Sequence, residues 1–171
     1  GVSDILFQSP VKAVRHANGR DWWIYMLLRG SNQYQLILLD PSGINFMGLL
    51  DSGINMPQAL GLATISPSGK YMAVGVAVLN SNDQHVFIYE IDRCSGSLAF
   101  RDSFSLVTQL WPGFGFSSNE KYLYTSSESR YLWQFDIEAS DIGASRVLVG
   151  EYDGFVHGSN SPTTFGPIMQ T

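Results

Sequence analysis

An all-β chain of repeated, four-stranded antiparallel units is what this sequence predicts, on three observations. Its 171 residues include 17 Gly, 7 Pro and 13% aromatics, a composition that suits short strands and tight turns and would interrupt helices. A turn spelled Ser66-Pro67-Ser68-Gly69 leads into an apolar strand, Lys70 to Val76, and a second one, His85 to Ile91, ends on Asp92. The same grammar then recurs. Lys121-Tyr122 repeats Lys70-Tyr71, and Trp133-Gln134-Phe135-Asp136 and Ile37-Leu38-Leu39-Asp40 repeat Tyr89-Glu90-Ile91-Asp92. At 44% hydrophobic and 15% charged, the chain has the means to bury a core.

The elements follow in order. A short apolar run, Ile5-Leu6-Phe7, precedes Pro10, and Asn18-Gly19 marks a turn because both residues accept positive φ cheaply. Trp22 to Leu28 is apolar at every position, as expected of a central strand covered on both faces. Gly30-Ser31-Asn32 turns the chain, Tyr34 to Leu39 returns it, and Asp40-Pro41-Ser42-Gly43 closes it. Leu62 to Ile65 is a short strand before the turn at Ser66, and Phe114-Gly115-Phe116 takes the same place before Ser117-Ser118-Asn119-Glu120.

A repeat of roughly 40 to 50 residues made of short strands is the mark of propeller blades, since one small sheet cannot bury both faces and must stack on its neighbours. The expected fold is therefore a partial β-propeller of about three to four blades. The units run 14–60, 61–108 and 109–160, with a further blade starting at 161–171. A closed ring needs at least about four blades, so the chain reads as a fragment of a larger ring. The absence of an initiator Met agrees with that expectation.

A net charge of −5 without any Lys/Arg cluster gives no footprint for nucleic acid or an anionic membrane surface. No stretch is long and apolar enough to span a bilayer as a helix. The single cysteine, Cys94, excludes an intrachain disulfide framework and a multi-cysteine metal site.

Candidate sites are few. His16, Arg20 and Asp21 crowd one turn beside two tryptophans and form a possible binding rim, together with Trp111 elsewhere. The favoured alternative is that Arg20 and Asp21 serve the turn while the tryptophans fill the space between blades. Tyr131, Tyr152 and Phe155 are further aromatics near turns, with packing as the default. His85 and His157 lack a second ligand at metal-like spacing. The closest approach to a calcium loop, Asp136 to Asp141, lacks the glycine break. Cys94 follows a cationic residue but has no general base beside it. No nucleophile elbow or phosphate loop is present. No catalytic residue, metal ligand or cofactor is assigned.

The stretch His16-Ala17-Asn18-Gly19-Arg20-Asp21-Trp22-Trp23 resembles propeller-like regions of secreted and cell-surface proteins of Bacteroidetes exported by the type IX secretion system. Ile91 to Leu98, Phe116 to Tyr124 and Trp133 to Asp136 are similar to the same family. The resemblance implies an extracellular or outer-membrane-associated location, and secretion or surface machinery as a partner. The expected function is a non-enzymatic structural or binding module that meets a protein or glycan at the propeller rim. The alternative is a lactonase-like propeller hydrolase with its site in the missing part of the ring. Such an enzyme needs polar groups converging on the central channel. The apolar strands Leu62 to Ile65 and Phe114 to Phe116 weigh against it.

Overall fold

The computed structural model describes residues 11–28, 31–53, 59–78, 83–107, 113–127, 130–154, 156–157 and 161–162. They form three four-stranded antiparallel sheets in chain order, and the chain is all-β, as the sequence predicts. The first blade is β1 (Val11–Arg15), β2 (Trp22–Leu27), β3 (Gln33–Asp40) and β4 (Gly43–Asp51). The second is β5 (Ala59–Ile65), β6 (Tyr71–Val78), β7 (Asp83–Ile91) and β8 (Leu98–Val107). The third is β9 (Phe114–Phe116), β10 (Tyr122–Ser127), β11 (Tyr131–Asp136) and β12 (Val147–Glu151). A small hairpin, β13 (Val156–His157) with β14 (Ser161–Pro162), follows. The start of a further blade expected near Thr163 lies outside the described residues.

Each blade is a meander, every strand pairing with the next in sequence. The first strands approach one another, β1 against β5 and β5 against β9, so they line the inside of the stack. Successive side chains of a strand point to opposite faces, which lets each middle blade serve two cores. Trp23, Tyr25, Leu27, Tyr34 and Leu36 of blade 1 pack on Met72, Val74, Val76, Phe87 and Tyr89 of blade 2. The alternate residues of blade 2, Tyr71, Ala73, Val86 and Ile88, pack on Phe114, Phe116, Leu123 and Phe135 of blade 3. That double duty explains the near-continuous apolar runs in β6 and β7.

The expectation that Trp22 to Leu28 is covered on both faces is met on one face only. Trp23, Tyr25 and Leu27 are buried, while Trp22 is 37% exposed and Ile24 and Met26 are half-buried. They point away from blade 2, toward a side of blade 1 that no described residue covers. The fourth strands β4, β8 and β12 lie at the outer edge. Each pairing to them carries a register shift, at Leu36/Ile37, Ile88/Tyr89 and Leu132/Trp133. A bulge bends the edge strand away and blunts it as a template for further pairing.

Candidate functional site

The stack has two ends of different character. At one end lie the turns β1–β2, β5–β6 and β9–β10, built alike: His16 N–H donates to Asp21 O, Ser66 N–H to Tyr71 O, and Ser117 N–H to Tyr122 O. Ser66 and Ser117 also accept from the N–H groups of Tyr71 and Tyr122 through their hydroxyls. The β3–β4, β7–β8 and β11–β12 turns share a second device. Asp40, Asp92 and Asp136 each accept the N–H two residues on, from Ser42 (2.8 Å), Cys94 (2.9 Å) and Glu138 (2.9 Å). This is the local turn chemistry of a short carboxylate, and it is why aspartate recurs at that position. Hydrogen bonds from Ser42 hold the Asp40 carboxyl below the usual range, and those from Ser95 and Cys94 do the same for Asp92.

The predicted rim residues His16, Arg20 and Asp21 meet in this end. Asp21, only 6% exposed, accepts from Arg20 Nε (2.7 Å) and Asn18 Nδ2 (2.6 Å). These bonds, Arg20's first, hold its carboxyl below the ordinary aspartate value. The His16 ring lies 5.2 Å from that of Trp23, and Trp23 donates its indole N–H to Arg93 O. Arg93 reaches across the seam and donates to Arg15 O, Ser68 O and His16 O. A cleft of about 510 Å³ opens beside these turns, lined by Ala13, Arg15, Trp22, Ile65, Ser68 and Arg93. Its walls are largely committed: Arg93 is spent on carbonyls, and the Arg15 guanidinium lies 5.3 Å over the Trp22 ring. Trp111, the fourth predicted rim residue, lies outside the described residues.

The opposite end is bounded by Leu27, Gln33, Asp51, Val78, Asp83, Val107, Phe114, Ser127 and Tyr131, and of the polar groups described there sequence reasoning singled out His85 alone. Gln84 is 1% exposed and its Oε1 has no hydrogen-bond partner among the described residues. The Tyr34 and Tyr89 rings meet edge to face at 6.1 Å, with hydroxyls that close no hydrogen bond of normal geometry among the described residues. Burial pushes the Tyr89 phenol up to about 12 and the Tyr34 phenol well above its ordinary value. His85 Nδ1 lies 2.9 Å from Ser105 Oγ on the neighbouring strand, where the two residues are register partners. Such a pair, one imidazole beside one hydroxyl, can pass a proton to or from water. Its signal in sequence is weak, because the serine belongs to an outer strand that the repeat does not mark. Among the described residues no group of three metal-ligating side chains converges. Cys94 is an exposed free thiol in the β7–β8 turn. His157 falls in β13, and its side chain lies outside what the structure describes.

Fold and seams together define a stack of β-propeller blades. No protein-family model matches the sequence, and no curated protein matches it. Solved structures do. A periplasmic gluconolactonase from Pseudomonas aeruginosa is 20% identical with a TM-score of 0.57, over 82% of this chain and 40% of that one. A candidate 6-phosphogluconolactonase from Bacteroides fragilis is 16% identical with a TM-score of 0.54, over 81% of this chain and 36% of that one. The β-propeller domain of Nup133 from Vanderwaltozyma polyspora is 10% identical with a TM-score of 0.51, over 88% and 48%. The likeness is one of fold, and the chain spans well under half the length of the two lactonase structures.

These neighbours correct the expectation of a non-enzymatic module, since propellers named as lactonases stand among them. The physical reason for the error is in the inner strands. Phe114 and Phe116 are buried in the second seam, with Leu62 packed against it, and Ala63 and Ile65 pack in the first. Their apolar character reports how blades stack. It carries no information about polar groups at the ends of the strands, where connecting segments build sites.

Proposed function

We propose that this chain is part of a propeller hydrolase of the lactonase-like type, acting on a sugar lactone at the end of the stack bounded by Gln33, Asp83 and Val107. The observation that carries the reading is the fold likeness to the periplasmic gluconolactonase over 82% of this chain. In the reaction class, water adds to the ester carbonyl, the acyl C–O bond breaks, and the ring oxygen leaves as a hydroxyl. A base must take the proton from water, and a proton must reach the ring oxygen. His85, steadied by Ser105 at 2.9 Å, is the described imidazole at that end and is assigned the base role. A location outside the cytoplasm belongs to the same proposal, supported by the Bacteroidetes-like turn at His16 to Trp23.

The test follows proton release from glucono-1,5-lactone in weak buffer, with purified protein and with the His85→Ala variant, against the spontaneous rate. Turnover proportional to protein concentration, falling on the order of 100-fold in the variant, supports the reading. A rate equal to buffer alone across aldonolactones of different ring size and phosphorylation overturns it. Turnover that His85→Ala leaves intact keeps the reaction class and removes His85 from it.

A further inference from the structure

We propose that Asn18 is a deamidation site that the folded turn closes and that opening of the turn exposes. Asn18-Gly19 is the only asparagine followed by glycine in the sequence. The chemistry of such a pair needs nothing beyond the chain and water. The backbone nitrogen of Gly19 attacks Asn18 Cγ, a nitrogen–carbon bond forms, and the Cγ–Nδ2 bond breaks. The amide proton of Gly19 leaves with Nδ2 as ammonia, and a five-membered cyclic imide remains. Water then adds to one of the two imide carbonyls and opens the ring to aspartate or to its isoaspartyl isomer. Glycine favours the first step because no Cβ hinders the attacking nitrogen or restricts its backbone.

The folded turn holds the attacking atom. Gly19 N–H donates to His16 O at 3.0 Å, so the proton that must leave is bonded and the nitrogen is turned to that carbonyl. Asn18 N–H donates to His16 Nδ1 at 3.0 Å. The Asn18 amide is fixed from both sides: Oδ1 accepts from the Arg20 and Asp21 N–H groups, each at 3.0 Å, and Nδ2 donates to Asp21 Oδ2 at 2.6 Å. The two N–H groups on Oδ1 polarise Cγ toward attack, so protection lies with the nucleophile. The turn is also anchored on blade 2, where Ala17 N–H donates to Arg93 O at 2.9 Å. Attack therefore requires the turn to open, and its rate follows the open population.

The product does not fit the turn it came from. Conversion replaces the Nδ2 donor with a carboxylate oxygen, facing Asp21 Oδ2 across the 2.6 Å that a hydrogen bond now spans. Asp21 is 6% exposed and does not turn out to water, so two carboxylates repel at contact distance. The isoaspartyl product instead lengthens the backbone of a turn whose His16 and Ala17 both bond Arg93. Each opening that converts Asn18 thus returns a weaker joint between blades 1 and 2, and the loss is irreversible.

The test incubates the 171-residue chain at mildly alkaline pH, folded and in guanidinium chloride. Trypsin cuts after Arg15 and Arg20 and releases His16 to Arg20 as one peptide, whose amide-to-acid mass shift counts the conversion. The folded chain should convert about 10-fold or more slowly than the unfolded one. Equal rates overturn the proposal. Amide exchange at Gly19 should be slowed in step with the conversion, since both need the bond to His16 O to open. Fast exchange beside slow conversion overturns the role given to that bond. Asn18→Asp should lower the denaturation midpoint at neutral pH, with the difference from wild type shrinking below about pH 4 as the carboxylates protonate. An Asn18→Asp chain as stable as wild type overturns the one-way consequence. The rate comparison uses wild type alone and decides the site whether or not that variant folds.

Discussion

Glu120 in blade 3 holds Ser68 in blade 2. Its carboxylate accepts from the Ser68 hydroxyl at 2.7 Å and from the Ser68 N–H. It does so from a left-handed backbone, φ 60°, the one non-glycine residue with positive φ among those described. The matched turns of blades 1 and 2 use glycine there, Gly19 at 75° and Gly69 at 79°. A backbone strain of about 1 kcal/mol or more therefore accompanies a bond across the seam.

Replacing Glu120 separates the two effects. Glu120→Ala loses the bonds and keeps the strain, whereas Glu120→Gly loses the bonds and relieves it. Urea titrations should find the Ala variant less stable than the Gly variant by about 1 kcal/mol. Equal stabilities would mean the turn relaxes its backbone when the carboxylate is removed.

Gly75 is a packing glycine. A Cβ built on it falls 2.3 Å from the Phe114 ring and 2.5 Å from the Gln84 amide. Gly75→Ala should destabilise by about 1–3 kcal/mol through the second seam. Gly143→Ala, 2.8 Å from Phe104 Cβ, should also cost stability. Thermal melts of both variants that match wild type would mean the seams are looser than described.

Asp21 sets an acid limit. Its folded-state carboxyl titrates below the ordinary value, Arg20 and Asn18 being the leading causes. The contribution is thus present above the unfolded value of about 3.9 and lost as pH falls through the lower folded value. Stability measured against pH should show wild type exceeding Asp21→Asn at neutrality, with the gap closing below about pH 4. A gap that stays constant to lower pH would show that the carboxylate's charge is not what stabilises the turn.

At the alkaline side, Tyr89 is pushed up to about 12 by burial, and Tyr34 and Tyr25 are raised too. A raised folded value means stability present below the unfolded tyrosine value of about 10 and lost as pH rises through the folded one. Unfolding by base should begin above about pH 10, and Tyr89→Phe should flatten the dependence. An unchanged slope in that variant would assign the loss to other groups.

Much of this fold was legible in the chain, for identifiable reasons. The Ser66-Pro67-Ser68-Gly69 turn, Lys70-Tyr71 against Lys121-Tyr122, and Asp40, Asp92 and Asp136 each mark a hydrogen-bonded device that the blade repeats. The outer strands β4 and β12 were not read. Their bulges break the two-residue period; in β12 the exposed Val147, Leu148 and Val149 run without a polar break, and in β4 the apolar Ile44 and Phe46 face outward while Asn45 between them is half-buried. The polar groups of the opposite end were missed for a different reason. Gln84 sits in a polar stretch, between Asp83 and His85, whose composition says loop rather than core, and Ser105 pairs with His85 only through a strand register that sequence does not fix. The turn at His16, Arg20 and Asp21 drew attention because its residues are adjacent in sequence, and adjacency is what serves a turn.

The seam between blades 1 and 2 is the joint on which the rest depends, and Trp23 reports on it most directly. Its indole N–H donates to Arg93 O at 3.0 Å, and its ring lies under Gly96, where an added Cβ would sit 2.8 Å away. The measurement is the set of nuclear Overhauser contacts from the Trp23 indole protons in the folded chain. Cross-peaks to the Gly96 Hα protons, with a slowly exchanging indole N–H, are the expected result. A rapidly exchanging N–H without cross-peaks to the β7–β8 turn would contradict the stacking of the blades, and with it the functional reading built on that stack.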